Sequence, residues 1–550
     1  MENTIDFIIV GAGSAGSALA GELARRSDAT ILVIESGPAA ERNPETLSAD
    51  GFKYCFANDN VMRDRFSEKL TGLNGRSAYQ GTGWTAGGSG AVNGMVYTPG
   101  DAKDFNSWPA GWQWQDVSPV FKRLEAELQP QAREATGFTQ AAIDAGNLSG
   151  FAHKDGLMDG DLKGFIGHNA MNYQGDKRQS SYQVYLHQAN LPHLELMTET
   201  LVHRVLIEDG KAVGVEVEQY GRRQRIYANK EVILAAGALE TPKLLMLSGV
   251  GPATVLDQFS IEPKLIQPAI GQNLHDHPNV CMFFRGKQKT DFGYPQLYAF
   301  DRVNALTALP AEQPDTCFAF FSAPITLHQS MLRMVPTIVL PKILYRQKAA
   351  RTAVRSLVNL AFKISPLRRF VDQIYGIVVI LGKPESRGSL TLRSSDARDQ
   401  AIINPAYYEH PDDLLTMING VKRAQQIASQ TQMQAWGNQP LSAGAKTTEF
   451  SALKQWIASA TMTTFHFCGT CMMGDNDDAP VNPRLHLKGI DGLRIADASV
   501  IPEVPVSAIN APSMMIGLRA ADFILDEHGL QPTASTHESS STPQTASETA

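Results

Sequence analysis

Apolar residues fall in short runs at both ends of the chain, and each run has the period of one element. Ile5–Val10 is a brief run rich in β-branched residues, which predicts a buried parallel strand. Small and apolar residues then recur at helical spacing over 17–24, and 30–34 predicts a second strand. Near the other end, 489–497 predicts a strand, followed by a proline-rich loop and a helix over 514–524. Between the ends, Ile374–Leu381 and 388–392 read as further strands. No run of about 18 apolar residues, the length of a membrane span, interrupts the pattern.

The first strand passes directly into Gly11-Ala12-Gly13-Ser14-Ala15-Gly16. In a strand–turn–helix unit, Gly11 permits the tight turn, Gly13 lets backbone approach a pyrophosphate, and Gly16 lets helix pack on strand. The helix N-terminus then offers free N–H groups to phosphate oxygens. Glu35 closes the second strand, about 20 positions on, where an acidic residue suits a ribose 2′-hydroxyl. This predicts a dinucleotide site for FAD or NAD; an acid at position 35 disfavours NADP. The distant strand ending at Asp497, with Asn510 shortly before the next helix, would bring polar groups to the same carboxyl edge of a sheet.

A length of 550 residues implies two or more cores. With 43% hydrophobic and 19% charged residues, 45 Gly and 30 Pro, the chain reads as a soluble, loop-rich enzyme and not as a disordered or coiled-coil protein. A net charge of −7 argues against nucleic acid as a partner. Five cysteines are too few for a disulfide framework, and no basic-then-apolar leader opens the chain, so a cytoplasmic compartment is expected.

Further blocks follow in order. They are Gly87-Gly88-Ser89-Gly90-Ala91-Val92-Asn93-Gly94-Met95-Val96-Tyr97, then Gly237-Ala238-Leu239-Glu240-Thr241-Pro242 with Ser248-Gly249-Val250-Gly251-Pro252. After them come Gly271-Gln272-Asn273-Leu274-His275-Asp276-His277, Ser386-Arg387-Gly388 and His466-Phe467-Cys468-Gly469-Thr470-Cys471. Together with the glycine turn, these resemble the glucose–methanol–choline (GMC) family of FAD-dependent oxidoreductases over about residues 5–530. The resemblance implies an α/β fold in which a Rossmann-like FAD-binding domain (1–155, 200–290 and 462–530) carries a discontinuous α+β substrate-binding domain (156–199 and 291–461). Residues 531–550, almost without large apolar side chains, are expected to be a disordered tail.

The same resemblance implies the site. Cofactor contacts fall at Gly11, Gly13, Ser14, Ala15, Gly16, Glu35 and Ser36 in the first unit. Gly88, Ser89, Asn93, Gly94, Met95 and Val96 supply the flavin-contacting loop, with Val202 and Ala236 beyond it. Asp497 and Ala498 would meet the ribityl chain, followed by Asn510, Ala511 and Pro512. Members with a histidyl-linked flavin carry His where Val92 stands, so FAD is expected to be held without a covalent bond. Trp84-Thr85-Ala86 and Thr98-Pro99-Gly100 also depart from the family pattern around that loop.

Alcohol oxidation needs a base for the hydroxyl proton while the flavin accepts the hydride at N5. His466 matches the family's base and Asn510 its partner, so the expected reaction turns an alcohol, in the first place a hydrophobic primary one, into an aldehyde or ketone. The electrons then pass to O2 or a quinone-like acceptor. The alternative on the same scaffold is a flavin-dependent lyase or a fatty-acid photodecarboxylase. His275 and His277 read as a structural His-x-His, since no further ligands lie at zinc-like spacing and no metal is expected. Cys468 and Cys471 form a C-x-x-C that the family does not require as a dithiol.

One segment stands apart. From 328 to 371 nine Lys/Arg (Arg333, Lys342, Arg346, Lys348, Arg351, Arg355, Lys363, Arg368 and Arg369) occur with no Asp or Glu. Leu340, Ile343, Leu344, Ala350, Val354, Leu357, Val358 and Ala361 fall on one side at helical spacing, and Lys348, Arg351 and Arg355 line its edge. A basic amphipathic helix of this kind reads in two ways: as a solvated helix packed on the substrate domain, or as a peripheral contact with an anionic membrane, on its inner face, forming a lid over the substrate entrance.

Overall fold

Buried β-branched runs at the two ends of the chain close on one another in the same sheet. The computed structural model describes residues 5–345 and 347–530; the expectations for the opening residues, Arg346 and the 531–550 tail lie outside them. In chain order the elements that position the site begin with β1 (Ile5–Val10), α1 (Ser14–Arg25) and β2 (Ile31–Ile34). They continue with β3 (Phe165–His168), β4 (Leu194–Met197), β5 (Thr200–Glu208), β6 (Lys211–Gln219) and β7 (Arg222–Leu234). Next come β8 (Pro278–Arg285), β9 (Leu297–Asp301) and β10 (Thr316–Ser322). Four helices follow: α2 (Ala323–Val339), α3 (Lys342–Tyr345), α4 (Lys348–Phe362) and α5 (Ser365–Asp372). The series ends on β11 (Ile374–Leu381), α6 (Pro411–Ala428), β12 (Leu493–Ile495) and α7 (Asn510–Glu527).

The first sheet runs β4-β2-β1-β7-β6-β5, with β12 also paired to β7. Its centre is parallel, from Phe7↔Ile31 to Val10↔Ile34 on one side and Val232↔Leu493 to Leu234↔Ile495 on the other. Phe7, Ile8, Ile9 and Val33 are fully buried, which a parallel sheet covered on both faces requires. Strand β7 changes character along its length. Arg222 to Lys230 is largely exposed and pairs mainly with β6, antiparallel, while Glu231 to Leu234 is buried between β1 and β12. Helix α7 lies against α1 so closely that a Cβ at Gly517 would strike the Ala15 backbone.

The second sheet is mainly antiparallel, with β8-β11-β10-β9-β3 at its centre. Helix α6 covers it with Met417, Ile418 and Val421 in its core. Membership of the sheets cuts across the expected boundaries: β8, within 200–290, belongs to the second sheet, and β4, within 156–199, completes the first through Leu194↔Ile31 to Met197↔Ile34.

The basic segment is not one helix with one apolar side. Pro341 follows the end of α2, and α4 starts afresh at Lys348. Val358 is buried while its neighbour Leu357 is 67% exposed. Arg351 and Arg355, expected along the rim of an apolar face, instead turn inward. With fully buried Arg333 they clamp Asp59, and Arg333 also takes Asp64. Asp59 stands 274 residues before Arg333, so helical spacing could not reveal it.

Candidate active site

The glycine turn is held by its neighbours. Gly11 adopts φ +108°, and a Cβ there would collide with the Ala235 carbonyl, while one at Gly16 would strike the Gly11 carbonyl. Ala236 follows directly, so the β1–α1 and β7 turns form one edge, to which β12 adds Ala496 and Asp497. Glu35 is buried at the end of β2, where Oε2 accepts the Ala12 N–H (3.0 Å) and Oε1 the Gly37 N–H (2.7 Å). Burial raises its pKa. Ser36 accepts from the Trp84 indole, and Val202 is buried in β5 opposite Val217.

These residues fit FAD on features of the protein alone. Neither α1 nor α7 has a side-chain N-cap, and the N–H groups of Ser14, Ala15, Gly16 and Ala511 find no acceptor among the described residues. The two helix ends meet where the Ser14 hydroxyl donates to Asn510 Oδ1 (2.7 Å). Two uncapped positive ends side by side suit an anionic ligand such as a pyrophosphate. Gly13 faces open space, with no atom within 4 Å of a Cβ placed there, and Gly88 packs against it. The loop carrying Ser89, Asn93, Gly94, Met95 and Val96 is tied down by Arg178, which donates to Gly90 O (3.1 Å), Asn93 Oδ1 (2.7 Å) and Asn93 O (2.8 Å). Arg178 is buried without a carboxylate partner, which lowers its pKa to about 10. It sits in an unremarkable Asp-Lys-Arg-Gln stretch, and no pattern in the sequence marked it. Val92 packs against Cys55, Val61 and Met62 and offers no nucleophile for a covalent link.

Asp497 accepts from Gly237 N–H (2.9 Å), Thr241 Oγ1 (2.6 Å) and Ser499 N–H (2.8 Å), so it braces the turns around Gly237 and Ala498. The Ala498 carbonyl accepts the Gly469 N–H (3.2 Å), joining this turn to the loop after His466.

His466 is half-buried at that loop, its N–H donating to Asp276 Oδ1 (2.7 Å). Its Nδ1 lies 2.9 Å from Nδ1 of His277, with the rings perpendicular. Burial pulls the His466 pKa down to about 3 and holds His277 well below the usual imidazole value, with His466 and Lys383 adding to the latter. Both rings are therefore neutral near pH 7, and one Nδ1 must donate to the other. His277 Nε2 is buried, with the Gly382 backbone as the hydrogen-bonding group it faces. Asp276 accepts from Tyr407, from Thr463 (2.5 Å) and from His466 N–H, and burial raises it to about 6.

The His-x-His thus divides. His275 is structural, bonded to Asn273 O (2.6 Å) and Val504 N (3.2 Å), whereas His277 touches the candidate base. Spacing could not separate them: two positions apart on an extended segment, they should share a face, and only the groups each ring meets tell them apart. Asn510 is placed with Ser14 and Gly90, and no hydrogen bond joins it to His466 among the described residues. Ala511 and Pro512 are buried in the first turn of α7. Cys468 and Cys471 are buried free thiols whose pKa burial raises, a poor setting for thiolate chemistry. The carboxylates of Glu231 and Glu527 gather with His486, yet Arg494 and Arg484 already neutralise them.

An uncapped glycine-turn helix, an acid at the end of the next strand and a neutral imidazole at the same edge define a dinucleotide-dependent oxidoreductase. Models of the GMC oxidoreductase family match residues 5–279 and 384–517. The oxygen-dependent choline dehydrogenase of Rhizobium etli is 31% identical, covering 96% of each chain. That of Photobacterium profundum is 30% identical over 97% of this chain and 95% of its own. Pyridoxine 4-oxidase from Mesorbium loti superposes with a TM-score of 0.80 at 25% identity, covering 94% of this chain and 99% of that one. Formate oxidase of Aspergillus oryzae shares the fold at TM-score 0.80 and 24% identity, covering 96% of this chain and 99% of its own. The chain belongs to the GMC oxidoreductase family. It is an FAD-dependent enzyme acting on CH–OH donors, and its general activity is alcohol oxidation.

Proposed function

We propose that this enzyme oxidises a neutral, hydrophobic primary alcohol to the aldehyde, with His466 as the base. When bound, FAD supplies the two-electron acceptor. The observation that carries the reading is the His466–His277 pair. If His466 donates its Nδ1–H to His277 Nδ1, its Nε2 keeps a lone pair for the substrate hydroxyl. Once His466 takes the proton, the same Nδ1–H bond to neutral His277 steadies the imidazolium. The Asn510 amide, at two uncapped helix ends, is a donor for the oxygen as it gains charge.

One feature favours a neutral substrate over choline, which the relatives' name specifies. Asp59 and Asp64 are held by arginines, Asp104 and Glu503 face Lys383, and Asp276 is enclosed by its donors. No free carboxylate beside His466 is thus left for a quaternary ammonium among the described residues. Phe465, next to His466, meets Phe56 and Tyr79 edge-on, and Phe66 extends the ring cluster to Tyr345 of α3. Such an aromatic cluster suits an apolar alcohol, and because aromatic faces also attract quaternary ammonium groups, the choice against choline rests on the carboxylates alone. We extend the reading to an electron acceptor of quinone type and to a peripheral place on a membrane.

The test is anaerobic flavin bleaching. His466→Ala stays yellow and folded, while bleaching by alcohol slows about 10²–10⁴-fold, the usual worth of a general base. A normal rate in that variant removes His466 from the role. Bleaching by choline faster than by benzyl alcohol or long alkanols overturns the substrate class.

A further inference from the structure

The four helices α2–α5 lie between the two matched family regions and present a surface unlike the rest of the molecule. Among the described residues, a majority of the exposed large apolar side chains fall between 338 and 370. Ile338 (77%) and Ile343 (78%) protrude near the start, Leu357 and Leu360 lie on the outer side of α4, and Ile364 and Leu367 continue it into α5. Cations surround this patch. Lys348, Lys363, Arg368 and Arg369 are exposed and make no ion pair with any described acid, and no Asp or Glu occurs from 323 to 371.

The basic residues have divided their work. Arg333, Arg351 and Arg355 face inward and clamp the loop at Asp59 and Asp64, fixing the helices beside the Phe56–Tyr79–Phe465 rings. Lys348, Lys363, Arg368 and Arg369 face outward around the apolar patch. We propose that this outer face docks on an anionic lipid bilayer, inserting Leu357, Leu360, Ile364 and Leu367 while the four cations meet lipid headgroups. Charge argues for lipid over a second copy of the chain. A two-fold contact would set this basic surface against itself, with Asp372 at the end of α5 as the one acid on the four helices to answer it. An apolar alcohol dissolved in the bilayer would then reach the aromatic cluster without crossing water. The docking surface gives the peripheral placement proposed above its residues, and it rests on that placement but not on the chemistry at His466.

The test uses the FAD-loaded full chain and sedimentation with vesicles of phosphatidylcholine, with and without phosphatidylglycerol. Binding to the anionic vesicles at low salt that weakens in high salt is expected. Replacing Lys348, Lys363, Arg368 and Arg369 together by Ser should weaken it by roughly two to three orders of magnitude, since each cation near such a surface is worth about fivefold. Leu357→Ser with Leu360→Ser should weaken it without changing the salt dependence. Flavin content and alcohol bleaching in detergent serve as folding controls, because all six positions lie outside the catalytic machinery. Failure of the unaltered protein to bind anionic vesicles ends the peripheral placement itself. Binding that survives both sets of substitutions places the membrane contact elsewhere and overturns the surface. A dimer that Leu357→Ser dissociates overturns it in favour of a second copy.

Discussion

The glycine turn and the helical cap formed by α2–α5 are built by different means. From Val10 to Gly16 the constraint is backbone against backbone: Gly16 answers the Gly11 carbonyl within the turn, Gly11 answers the Ala235 carbonyl of the adjoining strand, and Gly13 faces open space. In the cap the constraint is long-range charge, with Arg333 and Arg355 reaching back 274 and 296 residues to Asp59. The difference teaches where a motif can be trusted. Contiguous residues carry their geometry with them, whereas a basic residue on a helix means one thing toward solvent and the reverse toward a buried carboxylate.

The largest expected effect separates fold from ligand inside the glycine turn. Gly11→Ala collides with the Ala235 carbonyl at a positive φ and should yield no folded protein, whereas Gly13→Ala meets nothing in the protein. That second variant should therefore fold and purify colourless, as measured by circular dichroism and flavin absorbance; a yellow Gly13→Ala breaks the assignment of the cradle.

Asp59→Ala with Asp64→Ala does the converse at the cap. It leaves buried Arg333 without a carboxylate and should cost about 3–5 kcal/mol in denaturant unfolding. Hydrogen exchange should rise across 323–372 while FAD stays bound. Uniform destabilisation with loss of FAD would mean that the cap and the dinucleotide region are not separable.

His277→Leu should lower the rate of flavin reduction about 10–100-fold, the order of effect when a functional histidine loses the group that orients its ring. FAD content should be unchanged. A rate equal to that of the unaltered enzyme would make His277 a packing residue.

The smallest effect is a slope. His275, His277 and His466 are all depressed by burial, so below about pH 6.5 the unfolded chain binds more protons than the folded one. Their contribution to stability is complete above that pH and is lost as the pH falls. Asp276, raised to about 6, works the other way, adding stability that disappears as pH rises through that value. Within this cluster three groups outweigh one, so the melting temperature should fall more steeply from about pH 7 to about pH 5 in the unaltered enzyme than in a variant with His275 and His277 replaced. Equal slopes in the two proteins would remove the histidines from this role.

Much of the dinucleotide region is legible in the sequence. Ile5–Val10 is a strand to the residue, the 17–24 helix extends only to Ser14–Arg25, and Glu35 follows its strand at the sheet edge. The helix expected over 514–524 begins earlier, at Asn510, because Pro512 sits comfortably in a first helical turn. Less could be read around His466. The block that contains it was recognisable, but the contact with His277, the anchor supplied by Arg178 and the seating of Asn510 on Ser14 all join residues distant in sequence.

By itself, the order of residues determined the backbone: where β-branched runs make buried strands, where glycine must open a turn, and which blocks share a family. Tertiary structure alone decided which of two neighbouring histidines meets the base and which arginines of one helix face a carboxylate. The physical reason is that strand period, and the freedom of glycine to take a positive φ, belong to the residues themselves and their order along the chain. The direction a charged or titratable side chain takes is set by whatever the fold brings to it.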